Sequence, residues 1–187
     1  GPHPTYTSEI LDLLAKYEAK ATFFVIGERA EMFPDLILRE ENEGHEVANH
    51  TYTHPYLSTP GELEKELEKT NQAIFDITGT YPVLYRPVGG GYNDRIINTA
   101  VQNGYKVVMW SWHQDTEDWK RPGVDKIVTK VLSGAKPGNV ALFHDAGGDR
   151  SQTVKALEEI LPELKKQGYE FVTVSELLER SVIDVLK

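Results

Sequence analysis

Short apolar runs alternate with helix-patterned stretches along the whole chain, and no other feature restricts its fold so strongly. The runs are 21–26, 46–50, 83–86, 106–112, 139–144 and 170–174. Each is rich in β-branched or aromatic residues and has the length of a buried strand. The helices between them carry end signals. Thr59, Pro60 and Glu62 supply a cap, a first-turn proline and a capping-box glutamate. Pro34 opens a helix that Gly44 closes, and Asn93 and Gly104 bracket another. Ser151 and Gly168 bracket the next, with Pro162 as an internal break or restart. Ser175 caps a last helix that reads on to Lys187. This alternation predicts an α/β fold on a mainly parallel sheet or barrel. No stretch reads as a linker, so residues 1–187 are expected to form one domain.

Composition removes several function classes. The net charge is −9 and no basic stripe is present, which argues against nucleic acid as a partner. The chain has no cysteine, so disulfides and thiolate metal sites are excluded. No apolar run approaches the roughly 20 residues of a membrane-spanning helix. The Glu/Lys-rich run 62–69 puts Leu63 and Leu67 on one face and reads as a solvated helix with an apolar stripe.

Reactive side chains collect at the C-terminal ends of four consecutive expected strands. His50 ends one and His54 follows in its loop; Arg86 ends the next. Asp115, Asp118 and Trp119 follow the run 106–112, and His144 and Asp145 close the run 139–144. In parallel α/β folds that rim is where active sites are built. His50 and His54 are two imidazoles four residues apart, and Pro55 keeps them on a loop rather than a helix. Neutral imidazole is a common ligand of zinc and related ions. His144 alone reads first as a satisfied core histidine. A carboxylate partner such as Asp118 would make it a proton donor. Arg86 also reads as an anchor for its loop. The glycines Gly89, Gly90 and Gly91 either bring a backbone N–H close to a substrate oxyanion or form a flexible turn. Trp110 or Trp112 is expected to point into the core, and Trp119 alone is assigned to the site. His3 lies near the chain start and could flank a site, whereas His45 reads as structural.

These motifs resemble the polysaccharide deacetylases of carbohydrate esterase family 4, the NodB-homology domain. His50-Thr51-Tyr52-Thr53-His54 is similar to the family's second motif, Arg86-Pro87-Val88-Gly89-Gly90 to its third, Asp115-Thr116-Glu117-Asp118-Trp119 to its fourth and Leu142-Phe143-His144 to its fifth. The resemblance covers essentially the whole chain and implies a distorted (β/α)7 barrel. It implies that His50 and His54 bind a divalent metal, zinc first, with cobalt or another transition ion as alternatives. It implies that His144 is the general acid, tuned by Asp118, and that Arg86 orients the catalytic base. Trp119 and Leu142 would form the pocket for the acetyl methyl, and Asp115 would join them in binding substrate. The Gly89 N–H would help hold the oxyanion.

Two departures stand out. Val88 and Gly89 replace a proline and an aromatic residue of the third motif, which removes a wall of the sugar groove. Gly1-Pro2-His3-Pro4 looks like the tail of the first motif, T-F-D-D-G-P, without its two aspartates. The resemblance makes those aspartates the catalytic base and the third metal ligand. The first barrel strand is then expected to be missing, the chain's own N-terminal segment becomes a candidate partner as a separate peptide, and residues 1–187 alone are expected to be inactive and less stable, with open sheet edges. The leading expectation is N-deacetylation of N-acetylglucosamine polymers, chitin oligomers or peptidoglycan. The alternatives are an O-acetyl esterase on acetylxylan and, in another class, a non-catalytic carbohydrate-binding fragment. A polymer substrate places the protein outside the cell or on its surface.

Overall fold

The computed structural model describes residues 1–56 and 59–185, so the end of the expected last helix, residues 186–187, lies outside the described residues. The elements run α1 (Tyr6–Lys16), β1 (Thr22–Val25), α2 (Gly27–Met32), α3 (Pro34–Asn42), β2 (Glu46–Asn49), α4 (Pro60–Thr78), β3 (Leu84–Tyr85), α5 (Asp94–Gln102), β4 (Lys106–Val107), α6 (Val124–Gly134), α7 (Ser151–Lys166) and α8 (Val174–Val185). The chain forms two compact units, one made of Gly1–Pro2, Phe23–Glu43 and Val47–Met109, the other of His3–Thr22, Gly44–Glu46 and Trp110–Lys187.

The first unit holds the sheet, ordered β1-β2-β3-β4. β2 and β3 pair in parallel with Asn49 opposite Tyr85, and β3 and β4 pair in parallel with Leu84 opposite Lys106. Parallel neighbours need crossover helices, and α4 and α5 provide them. Leu63 and Leu67 of α4 pack with Ile96 and Ala100 of α5 around Tyr85 and Tyr105. The capping box expected at the start of α4 is formed: the Thr59 hydroxyl accepts from the Glu62 amide, and the Glu62 carboxylate accepts from the Thr59 amide. The Asn93 side chain caps α5 by accepting from the Ile96 amide at 3.0 Å.

The second unit is centred on α6 and α7, where Ile127 and Val131 meet Ala156, Ile160 and Leu164. Pro162 does not break α7, which runs unbroken from Ser151 to Lys166. The missing proline N–H leaves one carbonyl, that of exposed Glu158, without its helical donor. The buried stripe Leu157, Ile160, Leu161 and Leu164 keeps the two halves in line. Ser175 is not the cap of α8. Thr173 takes that place, its hydroxyl accepting from the Glu176 amide at 3.2 Å, while the Ser175 hydroxyl is bound to the Glu46 carboxylate.

Two of the six expected strands are not regular. The run 139–144 makes only an isolated bridge, Leu142 with Asp115, because its neighbour turns into a 3₁₀ helix at Trp112–Gln114 and cannot continue a ladder. The run 170–174 contributes the Phe171 carbonyl to the Lys20 amide at 3.1 Å and then enters α8. Trp112 does not turn inward. It is 63% exposed and packs edge-on against half-buried Trp110 at 5.1 Å.

Candidate active site

In the first unit, β2 delivers His50 at its end, buried, with its ring centroid 4.9 Å from that of His54. His50 Nδ1 lies 2.6 Å from the Arg86 carbonyl oxygen. A carbonyl only accepts, so Nδ1 carries the proton and Nε2 keeps its lone pair. Burial, and then the Arg86 charge, push the imidazole well below its ordinary pKa, so His50 is neutral at neutral pH.

The loop after His50 bends through two left-handed non-glycine residues, Thr51 at φ 71° and His54 at φ 61°. Such conformations persist where the surroundings hold them. The Thr51 amide donates to Asn49 Oδ1 at 2.9 Å. The Thr51 and Tyr52 carbonyls accept from the first amides of α2, Gly27 at 3.0 Å and Glu28 at 3.2 Å. The Tyr52 and Thr53 amides both donate to Glu66 Oε2, at 2.8 and 2.7 Å, and the Thr53 hydroxyl donates to Glu66 Oε1 at 2.9 Å. The run 62–69 is therefore more than a solvated helix. Nothing in its charge pattern distinguishes Glu66 from its acidic neighbours, so only the fold reveals it.

Arg86 follows β3, and its guanidinium sits 4.8 Å from the Phe24 ring centroid. Behind it, the Gly90 amide donates to Pro87 and the Gly91 amide to Val88, closing a tight turn around Gly89. Gly89 has φ +60°, and a Cβ there would lie 3.0 Å from the Tyr56 ring. Glycine is favoured on both counts. Replacing Gly89 with alanine is expected to cost about 1–2 kcal/mol of stability from the backbone conformation. A several-fold loss of kcat/KM is expected with it, because making room against the ring of Tyr56, 66% exposed, shifts the turn whose Gly89 N–H is expected to hold the oxyanion. Steady-state kinetics beside a urea melt would check both numbers.

In the second unit the structure brings Asp118 and His144 together. Asp118 is 1% exposed. Its Oδ1 lies 2.7 Å from His144 Nδ1, and its Oδ2 accepts from the His144 amide at 2.8 Å and the Thr153 hydroxyl at 2.7 Å. Burial alone would raise this carboxyl. The donors from His144 and Thr153 outweigh it and hold the group below its ordinary value. An ionised Asp118 keeps a proton on Nδ1 and stabilises a positive charge on the ring, which leaves Nε2 as the proton-transfer atom. Thr153 on α7 was not legible as part of this site. It comes from 35 residues downstream on an ordinary amphipathic helix.

Asp115 turns its Oδ1 toward the Glu117 amide at 3.1 Å, shaping the turn that leads to Asp118. Trp119 is half exposed, with the Lys120 ammonium 5.1 Å from its ring. Leu142 is buried, and its carbonyl accepts from the Thr116 hydroxyl at 2.6 Å. Asp145 accepts from the Thr7 hydroxyl at 2.5 Å. His3 stands at the start of α1, its Nδ1 accepting from the Thr5 and Tyr6 amides at 3.2 and 3.3 Å. His45 accepts from the Ala21 amide through Nδ1.

The donor chemistry of His50 and His54 fits a divalent ion that favours nitrogen. The carbonyl behind His50 fixes its tautomer in the way metal-bound histidines are usually held. Among the described residues no group of three His, Cys, Asp or Glu side chains forms around one point.

The chain belongs to the polysaccharide deacetylase family, whose profile matches residues 1–108. It is 52% identical over 179 residues to a peptidoglycan-N-acetylglucosamine deacetylase of Bacillus cereus, covering 95% of this chain and 84% of that protein. It is 40% identical to a chitooligosaccharide deacetylase of Rhizobium leguminosarum bv. trifolii, covering 90% and 84% of the two. Other relatives are longer, and of the Listeria monocytogenes peptidoglycan-N-acetylglucosamine deacetylase the chain spans 37%. The solved Bc1960 peptidoglycan N-acetylglucosamine deacetylase superposes with a TM-score of 0.90 at 38% identity, covering 95% of this chain and 83% of that one. A family 4 acetyl xylan esterase from Clostridium thermocellum, solved with a cobalt ion, gives 0.88 at 32% identity, covering 96% and 86%. The expected distorted (β/α)7 barrel is the fold of these neighbours.

Proposed function

We propose that this protein is a metal-dependent N-deacetylase of N-acetylglucosamine polymers, with peptidoglycan glycan strands as the first substrate and chitin oligomers as the second. The carrying observation is the His144–Asp118 pair, in which a buried carboxylate holds Nδ1 and frees Nε2 to act. Amide hydrolysis needs such a group, because an amine leaves only when protonated. His144 then gives its proton to the departing nitrogen, and Asp118 stabilises the ring while it is charged. The Gly89 N–H, outside the two bonds that close its turn, would receive the oxyanion. Trp119 and Leu142 shape the acetyl pocket, Asp115 holds the turn that carries Asp118, and Arg86 orients the base. His50 and His54 would hold the ion, zinc first and cobalt as the alternative, which supplies Lewis acidity when bound.

A hydrolytic ion usually takes three protein ligands, and the described residues bring two. The polymer substrate places the working protein outside the cell or at its surface.

Acetate release from peptidoglycan, chitin pentamer and acetylxylan, measured with the complete zinc- or cobalt-loaded protein, tests the proposal. Release from the first two supports it. Release from acetylxylan alone would make the protein an O-acetyl esterase, and release from none would leave a carbohydrate-binding protein.

A further inference from the structure

We propose that Glu66 is a positioning residue for the histidine loop: its carboxylate clamps the backbone from which His54 projects. The inference rests on the reading of His50 and His54 as metal ligands. Glu66 belongs to neither motif, yet it accepts three hydrogen bonds from the two residues just before His54. Two backbone amides converge on one oxygen and a hydroxyl meets the other, so both carboxylate oxygens are used. Bonds to an ionised acceptor are roughly twice as strong as neutral ones.

The clamp opposes a defined strain. Thr51 and His54 both sit in the left-handed region, at a cost of about 1–2 kcal/mol each. Left alone, the loop would relax and the two imidazoles would separate. The helix that carries Glu66 is a firm base. Leu63 and Leu67 on α4 are buried in the core of the first unit. The same helix holds the other end of the motif, where Asn49 Nδ2 donates to the Leu67 carbonyl at 3.0 Å and to Asn71 Oδ1 at 3.2 Å. Lys69, one turn on from Glu66, lies 3.7 Å over the Tyr52 ring. One helix thus fixes the loop on both sides of His50.

The clamp requires reach, and charge alone would not reproduce it. Glutamine at 66 can turn its carbonyl to the two amides and its NH₂ to the Thr53 hydroxyl, which can reverse and accept. Aspartate keeps the charge but is one methylene too short to meet both amides. The test is cobalt affinity of E66Q and E66D, measured by chelator competition, together with hydrogen exchange at the Tyr52 and Thr53 amides in the metal-free protein. E66D is expected to bind cobalt about 10- to 100-fold more weakly and to lose protection at both amides. E66Q should stay within a few-fold of the parent in affinity. The reverse order, with E66Q weak and E66D unchanged, would make Glu66 a source of charge only and overturn the proposal. Unchanged protection in E66D would overturn it as well. If the parent binds no cobalt, the metal reading falls, and exchange alone decides whether Glu66 holds the loop.

Discussion

Asp118→Asn is expected to lower kcat for acetate release by roughly 10²–10⁴-fold, the range that a positioned general acid contributes, with KM within a few-fold of the parent. The asparagine can still accept from the Thr153 hydroxyl and the His144 amide through one oxygen, so the local fold has a way to survive. Its NH₂ must then face His144 Nδ1, which becomes an acceptor, and no negative charge remains to stabilise the protonated ring. Without that charge His144 has little power to protonate an amine. The same change should alter acid stability in a defined direction. Asp118 lies below its ordinary value in the folded protein. It therefore contributes stability above the unfolded carboxyl value of about 3.9, and that contribution is lost as pH falls through the depressed folded value. The variant should be less stable near neutrality, and its stability should fall less steeply in acid. Melting temperatures across pH 7 to 3, read beside single-turnover kinetics, would show both effects. An unchanged kcat would remove Asp118 from the mechanism.

The parts of this protein that can be read from sequence are those whose chemistry is local. The Thr59 capping box, the Asn93 cap and the helix opening at Pro34 each need only residues within one turn, and each forms. His50 with His54, and Asp118 with Trp119, could be picked out because reactive residues ended apolar runs. The pairing of His144 with Asp118 was an inference from chain order that the geometry then supplied. What could not be read depends on partners distant in sequence. The run 139–144 looked like a strand, but a strand needs a regular neighbour, and the 3₁₀ turn at Trp112–Gln114 removes it. Pro162 looked like a break because the packing that carries α7 through it comes partly from α6. Glu66 and Thr153 look like any polar residue on an amphipathic helix until the fold brings a strained loop to one and a buried carboxylate to the other.

His54→Gly should separate metal binding from stability. If His50 and His54 hold the ion, removing either imidazole should weaken zinc or cobalt by more than about a hundredfold, beyond what loss of a supporting residue costs. Acetate release should then fall to background. The consequences for the fold differ. His50→Ala removes a buried ring and its hydrogen bond to the Arg86 carbonyl, a loss of about 0.5–1.5 kcal/mol for the bond before any cavity is counted. His54 sits at φ 61°, where glycine avoids a penalty of about 1–2 kcal/mol. Glycine also costs roughly 0.5–1 kcal/mol in added freedom of the unfolded chain. The two nearly cancel, so metal-free His54→Gly protein should melt below the metal-free parent only by what the contacts of the His54 ring, such as that with His50, contribute, while His50→Ala melts well below. Adding zinc should raise the melting temperature of the parent and leave both variants where they were, because only a ligand that binds the folded state stabilises it. A His54→Gly protein that still gained stability from zinc at parental concentrations would mean that the ion sits elsewhere. One that melted far below the parent without metal would mean that His54 holds the loop through its side chain and not only the ion.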